Sequence, residues 1–290
     1  MVRLHAVPGT ARTGVDELDR SAQPGPTLQP AVLQAIEAMH KRYFDSITLT
    51  ELASEVFVSP FHFSRIFGKA TGVTPGRYLT AVRLFEAKRL LLTTSLTVSD
   101  VVCSVGYSSV GTFTSRFTRA VGMTPTQYRE PEVGELLVAL APNLRRLPPL
   151  HAIRAAGHSC ASVRHGGGVI NGRVELPRGA PPANVLVGLF SDPVPQAGPV
   201  AYTVRMNTGS TDIEINDVPD GDWVVMAIAE HAPGTPAATF SVATLRDPIP
   251  VRAGRPVYVP LTMRAPQPID PPIAITLAGR PTPTTQYLAA

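Results

Sequence analysis

The 290-residue chain spells one word twice. "FSRIFGKATGVTPGRY" runs from Phe63 to Tyr78, and "FTSRFTRAVGMTPTQY" runs from Phe113 to Tyr128. The copies align without a gap. Phe63/Phe113, Phe67/Phe117, Ala70/Ala120, Gly72/Gly122, Thr74/Thr124, Pro75/Pro125 and Tyr78/Tyr128 are identical pairs. What is shared is packing residues, helix stops and helix starts. Such a repeat requires one local scaffold to be built twice.

Local signals around each copy predict helices. Ala31 to Tyr43 carries Val32, Leu33, Ile36 and Met39 near helical spacing. Thr48-Leu-Thr-Glu51 is a capping-box pattern that opens a short helix through Val56. Ser59-Pro60 reads as an N-cap followed by proline at the first helical position, with Gly72 as the stop. Thr74-Pro75 restarts a helix that reaches Leu92. The series then recurs: Thr97-Val-Ser-Asp100, Ser109, Gly122 and Thr124-Pro125. Seven helices with short loops make an all-α module.

In each half, a short capped helix precedes a longer one, which is the order of a helix–turn–helix. Leu52-Ala53 corresponds to Val101-Val102 at an offset of 49 and Ser59 to Ser109 at 50, so the second turn is one residue longer. In this motif the second helix enters the major groove of DNA and the first crosses the backbone. Spacing of i, i+4, i+7 turns Phe63, Phe67 and Ala70 to the core. It turns Phe61, His62, Ser64, Arg65, Gly68 and Lys69 outward in the first copy. In the second it turns out Gly111, Thr112, Ser115, Arg116 and Arg119. Packing is shared and the outward residues differ, as expected of two similar folds contacting two different base sequences. Expected base-reading positions are Phe61, Ser64, Arg65, Gly111, Thr112, Ser115 and Arg116. Expected backbone contacts are Ser59, His62, Lys69, Ser109 and Arg119.

On "SPFHFSRIFGKATGVTPGRYL", "RLFEAKRLLL" (Arg83–Leu92) and "VGYSSVGTFTSRFTRAVGMTPTQYR", residues 31–131 resemble the DNA-binding module of the AraC/XylS family of bacterial transcription regulators. The resemblance implies two helix–turn–helix units, 48–72 and 97–122, joined by the helix from Pro75 to Leu92. It implies that both recognition helices read successive major-groove segments on one face of the DNA. The joining helix spans about 25 Å at about 1.5 Å per residue, and the width of the units brings the separation toward the roughly 34 Å of one DNA turn. One position departs. Phe57 stands where the family usually has glycine in the first turn, whereas Gly106 keeps that role in the second. A turn with φ > 0 strains a phenylalanine, so either this turn has adapted or the first unit is less well formed.

Charge distribution suggests either a polyanion partner or an ordinary solvated surface. The net charge is +4, and residues 37–130 hold all of the excess, with 11 basic against 7 acidic residues. Residues 131–290 balance at 12 arginines and 12 acids. No stretch approaches the roughly 20 apolar residues of a membrane helix. Met1 to Thr13 has no apolar core, so no secretory leader is expected and the cytoplasm is the expected compartment. The two cysteines, Cys103 and Cys160, suggest no disulfide framework.

After Pro131 the texture changes. Residues 132–165 read as a linker in which Gly134 to Leu147 can form a helix. From Val169 on, short apolar or alternating runs separated by Pro/Gly turns suggest a β-sandwich over 166–280. The runs are Val169–Leu176, Ala183–Phe190, Val200–Met206, Thr211–Ile215, Trp223–Glu230, Ala238–Ala243, Val257–Met263 and Ile273–Leu277. "INDVPDGDW" (Ile215–Trp223) places a Pro-Asp-Gly turn between strands and is loosely similar to prealbumin-like sandwiches of carboxypeptidase regulatory domains. Residues 1–30 read as a disordered lead-in and 281–290 as a tail. His151, His158, Cys160 and His165 match no compact zinc spacing. No nucleophile–His–acid set has local support, so neither catalysis nor a cofactor is expected.

The expected fold is a multidomain chain, an all-α double helix–turn–helix module followed by an all-β sandwich. The expected function is a sequence-specific DNA-binding transcription regulator whose sandwich dimerises or senses a ligand. The alternative is a constitutive DNA-binding protein whose sandwich docks another protein. Double-stranded DNA is the expected partner. RNA polymerase, a small-molecule effector and a second copy of the chain are further candidates. The family usually places its sensor before the DNA-binding module; the order here is reversed, so no effector class carries over.

Overall fold

The computed structural model describes residues 29–149, 151–153, 167–233, 235 and 238–278. The lead-in before residue 29, the tail 281–290, and His158, Cys160 and His165 lie outside the described residues.

The helices are α1 (Gln29–Arg42), α2 (Leu49–Glu55), α3 (Pro60–Thr71), α4 (Pro75–Thr93), α5 (Val98–Ser104), α6 (Val110–Val121) and α7 (Pro131–Glu135). The restart at Thr124-Pro125 differs from the one at Thr74-Pro75. It yields only a three-residue 3-10 turn, Gln127–Arg129, before α7. Pro131 explains the difference, since a proline inside a helix lacks the N–H and clashes with the carbonyl four residues back, here that of Gln127. Among the described residues no helix is long and apolar enough to cross a membrane.

Ten strands follow. They are β1 (Leu137–Ala141), β2 (Leu144–Arg146), β3 (Gly168–Glu175), β4 (Ala183–Phe190), β5 (Ala201–Thr208), β6 (Thr211–Val218), β7 (Gly221–His231), β8 (Thr239–Val251), β9 (Val257–Thr262) and β10 (Ile273–Thr276). They form a four-stranded sheet β5-β4-β7-β8, a mixed sheet β6-β3-β9 and a small sheet β10-β1-β2. The pair β3/β9 is parallel and the others are antiparallel. Pro248 and Pro250 lie in β8, an edge strand, where a missing N–H costs little. Each of the eight expected runs overlaps one strand, β3 to β10, although β6, β7 and β8 extend past the expected ends. Residues 134–147, expected as a linking helix, are instead the end of α7 followed by β1 and β2. "LVALA" carries no period that separates a buried strand from a buried helix, and its pairing with β10, Val138 opposite Ile275, decides the matter.

The sheets stack in layers because their side chains alternate. Val185, Val187 and Leu189 of β4 and Val225, Ala227 and Ala229 of β7 pack against Ile170, Val174, Ile213 and Val259 of the mixed sheet. The opposite faces of β4 and β7, with Leu186, Phe190, Met226 and Ile228, pack against Val138, Leu140, Ile273 and Ile275 of the small sheet. The small sheet's other face, Leu137, Ala139, Ala141 and Ala274, covers Phe85 of α4. The core therefore runs without a break from the sheets into the second helical unit, through Leu84, Leu91, Val102, Phe113 and Phe117. The first unit has its own core, which includes Met39, Leu52, Phe63, Phe67, Tyr78 and Val82.

Polar contacts tie α4 to the sheets. The Arg77 guanidinium pairs with Asp192 at 2.5 Å. The Tyr78 hydroxyl donates to the Asp270 carbonyl at 3.2 Å. Lys88 is wholly buried; its ammonium donates to the Gln196 carbonyl (2.8 Å), Gln196 Oε1 (3.0 Å) and the Ala274 carbonyl (2.6 Å). Burial favours the neutral amine and lowers the Lys88 pKa to about 7.

Candidate nucleic-acid interface

The two helical units are built from matching parts. Thr48 and Glu51 close a capping box at α2, and Thr97 and Asp100 close one at α5. Ser59 Oγ accepts the His62 N–H at 3.3 Å to cap α3, and Ser109 Oγ accepts the Thr112 N–H at 3.3 Å to cap α6. Both longer helices end on a left-handed glycine, Gly72 at φ 79° and Gly122 at φ 84°. In the first core the Phe67 and Tyr78 rings meet edge-on at 5.5 Å; in the second, Phe117 and Tyr128 do so at 5.6 Å.

The turns match as well. The Val58 N–H reaches the Ala53 carbonyl (3.0 Å) and the Phe57 N–H the Ser54 carbonyl (3.1 Å). In the second unit the Tyr107 N–H reaches the Val102 carbonyl (3.1 Å) and the Gly106 N–H the Cys103 carbonyl (3.3 Å). This pair of bonds is the Schellman helix stop, which places its C′ residue in the left-handed region. Gly106 takes it at φ 78°, and a Cβ there would lie 2.7 Å from the Phe44 carbonyl oxygen. Phe57 takes it at φ 57° with its side chain 95% exposed. The first turn therefore adopts the same geometry without glycine.

The outward residues fall mainly where spacing placed them. Phe61 is 81% exposed. Ser59, Arg65, Lys69, Ser109, Gly111, Thr112, Ser115, Arg116 and Arg119 are exposed, whereas His62, Ser64 and Gly68 are half-buried and so less open than expected. Ala70 and Ala120 are half-buried, and the buried seam of α3 is Phe63, Ile66, Phe67 and Thr71. Sequence reasoning passed over Ile66, although the i, i+3, i+4 spacing of 63, 66 and 67 carried the signal.

The basic residues of 37–130 divide sharply. Lys41, Arg42, Arg77 and Arg89 are paired with Glu37, Glu55, Asp192 and Glu86. Arg83, Lys88 and Arg129 donate to backbone carbonyls. The remaining four, Arg65 and Lys69 on α3 and Arg116 and Arg119 on α6, have no hydrogen-bond or ion-pair partner among the described residues. Unpartnered positive charge in this segment is thus confined to the two longer helices.

Residues 52–131 match a protein family described as a helix-turn-helix domain. The uncharacterized HTH-type transcriptional regulator YobQ of Bacillus subtilis is 34% identical over 102 residues, 35% of this chain and 42% of that protein. The lactose operon transcription activator of Staphylococcus xylosus is 31% identical over 98 residues, 34% of this chain and 35% of that protein. The solved C-terminal domain of AraT, a response regulator from Geobacillus stearothermophilus, is 33% identical; the match covers 35% of this chain and 85% of that one, with a TM-score of 0.34. The chain thus spans less than half the length of these curated relatives.

Proposed function

We propose, from the premise that residues 52–131 are an AraC/XylS-type helix–turn–helix domain, that this protein is a sequence-specific DNA-binding transcription regulator. In this reading α3 and α6 enter successive major-groove segments of double-stranded DNA, and the C-terminal sheets sense a ligand or hold a second copy of the chain. The observation that carries it is that, within residues 37–130, the cations without a partner among the described residues are confined to α3 and α6. A helix that meets phosphates and base edges needs donors not already spent inside the protein.

The two helices read unequally in this proposal. Arg65 stands in the second turn of α3, where a guanidinium can bind guanine O6 and N7 bidentately, worth about 1–3 kcal/mol of discrimination. Ser115 holds the aligned position of α6 and reads bases weakly. Lys69 and Arg119, nearer the C-terminal ends of their helices, contact phosphates. Binding-site selection on three variants tests the assignment. Arg65→Ala should relax preference at one or two base pairs, Ser115→Ala should cost little, and Arg119→Ala should weaken all sequences alike. An unchanged preferred sequence in Arg65→Ala together with an altered one in Ser115→Ala would overturn it.

A further inference from the structure

Where the last turn of α3 meets the sheets lies a partly open cavity of about 40 Å³. Its floor is apolar, made by the buried Leu140, Met226, Val242 and Ile273. On β8, residues 242, 244 and 246 share one face because strand side chains alternate. The lining therefore passes along one strand from Val242 through Thr244 to Arg246 at the rim. The other cation there, Arg264, is already held by Asp270, with two bonds of 2.6 and 2.8 Å. Neither the Arg246 guanidinium nor the Thr244 hydroxyl has a partner among the described residues.

We propose that this cavity binds a short-chain monocarboxylate such as acetate or propionate, with its carboxylate on Arg246 and Thr244 and its alkyl end on the apolar floor. A guanidinium receives a carboxylate through two parallel N–H···O bonds, and the threonine hydroxyl supplies a third donor. Four aliphatic floor residues favour an organic acid over phosphate or chloride. Volume sets the size: at about 10–15 Å³ per water sphere the cavity holds about three waters, each about 30 Å³ of liquid, which leaves room for a carboxylate with a one- or two-carbon alkyl end and too little for a sugar.

The occupant would touch both the sheets and the stop of the first recognition helix. Thr71, Gly72 and Val73 line the same cavity, and the Arg246 side chain lies across Gly72 so closely that a Cβ there would sit 2.6 Å from Cζ. A ligand that bridges these parts stabilises the docked arrangement of α3 on the sheets, and it alters DNA affinity to the extent that DNA prefers one arrangement. That regulatory consequence rests on the regulator reading above; the binding site does not.

The test is thermal unfolding of the full chain in sodium propionate, hexanoate and chloride at matched ionic strength, with operator affinity measured in parallel in chloride. A ligand of this size binds at about millimolar Kd. At about ten times Kd, propionate should raise the midpoint by about 4 °C. Hexanoate and chloride should not, and Arg246→Gln, an exposed position whose change spares the core, should abolish the shift. Equal shifts in all three salts, a shift that survives in Arg246→Gln, or no shift would each overturn the site. Loss of DNA binding in the chloride control would refute the regulator reading alone.

Discussion

Ile66 and Arg116 stand at the same point of the repeated word, fifty positions apart; Ile66 is 5% exposed and Arg116 lies open to solvent. The first long helix spends this position on its core, and the second spends it on its outer face. The scaffold is thus repeated more closely than the division between packing and surface.

The two substitutions should separate cleanly. Ile66→Ala removes buried methyl groups and should cost about 2–4 kcal/mol in urea unfolding. Arg116→Ala touches no core and should stay within about 0.5 kcal/mol of wild type, while it weakens DNA binding. Equal stability losses would mean that Arg116 packs in solution.

The two turn residues make a second pair. Phe57 holds a left-handed conformation with almost no contact to lose, so Phe57→Gly should stabilise by about 0.5–1 kcal/mol. Gly106→Ala should destabilise by about 2 kcal/mol or more, because left-handed strain adds to a collision with the Phe44 carbonyl. A destabilised Phe57→Gly protein would show that the exposed ring has a packing role.

Salt dependence reports phosphate contacts. Each neutralised phosphate contributes about −0.9 to the slope of log affinity against log salt on duplex DNA. Lys69→Ala and Arg119→Ala should each make the slope shallower by about 1. Arg65→Ala should change sequence preference more than slope. If neither Lys69→Ala nor Arg119→Ala alters the slope, the phosphate assignments fail.

Lys88 makes stability depend on pH. The folded amine titrates at about 7 rather than the ordinary 10.5 because burial penalises its charge. Between these values the unfolded chain binds a proton that the folded chain does not, so stability from this group rises with pH from about 7, by about 1.4 kcal/mol per unit, and is flat below about 7. Urea titrations at several pH values between about 7 and 9 should show this rise in wild type and its loss in Lys88→Met. A rise unchanged in Lys88→Met would assign it elsewhere.

Much of the helical half was legible because its signals are local. A threonine three residues before a carboxylate, a serine before a helix start and a glycine at a stop act through hydrogen bonds and backbone angles within one turn, so the caps at Thr48, Ser59, Thr97 and Ser109 could be read before any fold was known. Alternation and turn residues marked eight strands for the same reason. The exposure of the candidate contact positions followed from helical period, apart from the partial burial of His62, Ser64 and Gly68.

The sequence by itself therefore determined the repeated helical scaffold, its caps and stops, and the location of the later strands. Tertiary structure alone decided that Leu137–Ala141 is a strand, since only its pairing with β10 separates the two conformations open to an apolar run. It also decided which basic residues remain free. Composition cannot tell the buried Lys88 from the exposed Lys69, because Gln196 and Ala274, which hold the Lys88 ammonium, lie more than a hundred residues along the chain. Burial, charge pairing and the cavity beside Gly72 depend on contacts between segments far apart in sequence, and no local pattern encodes which distant segment will arrive.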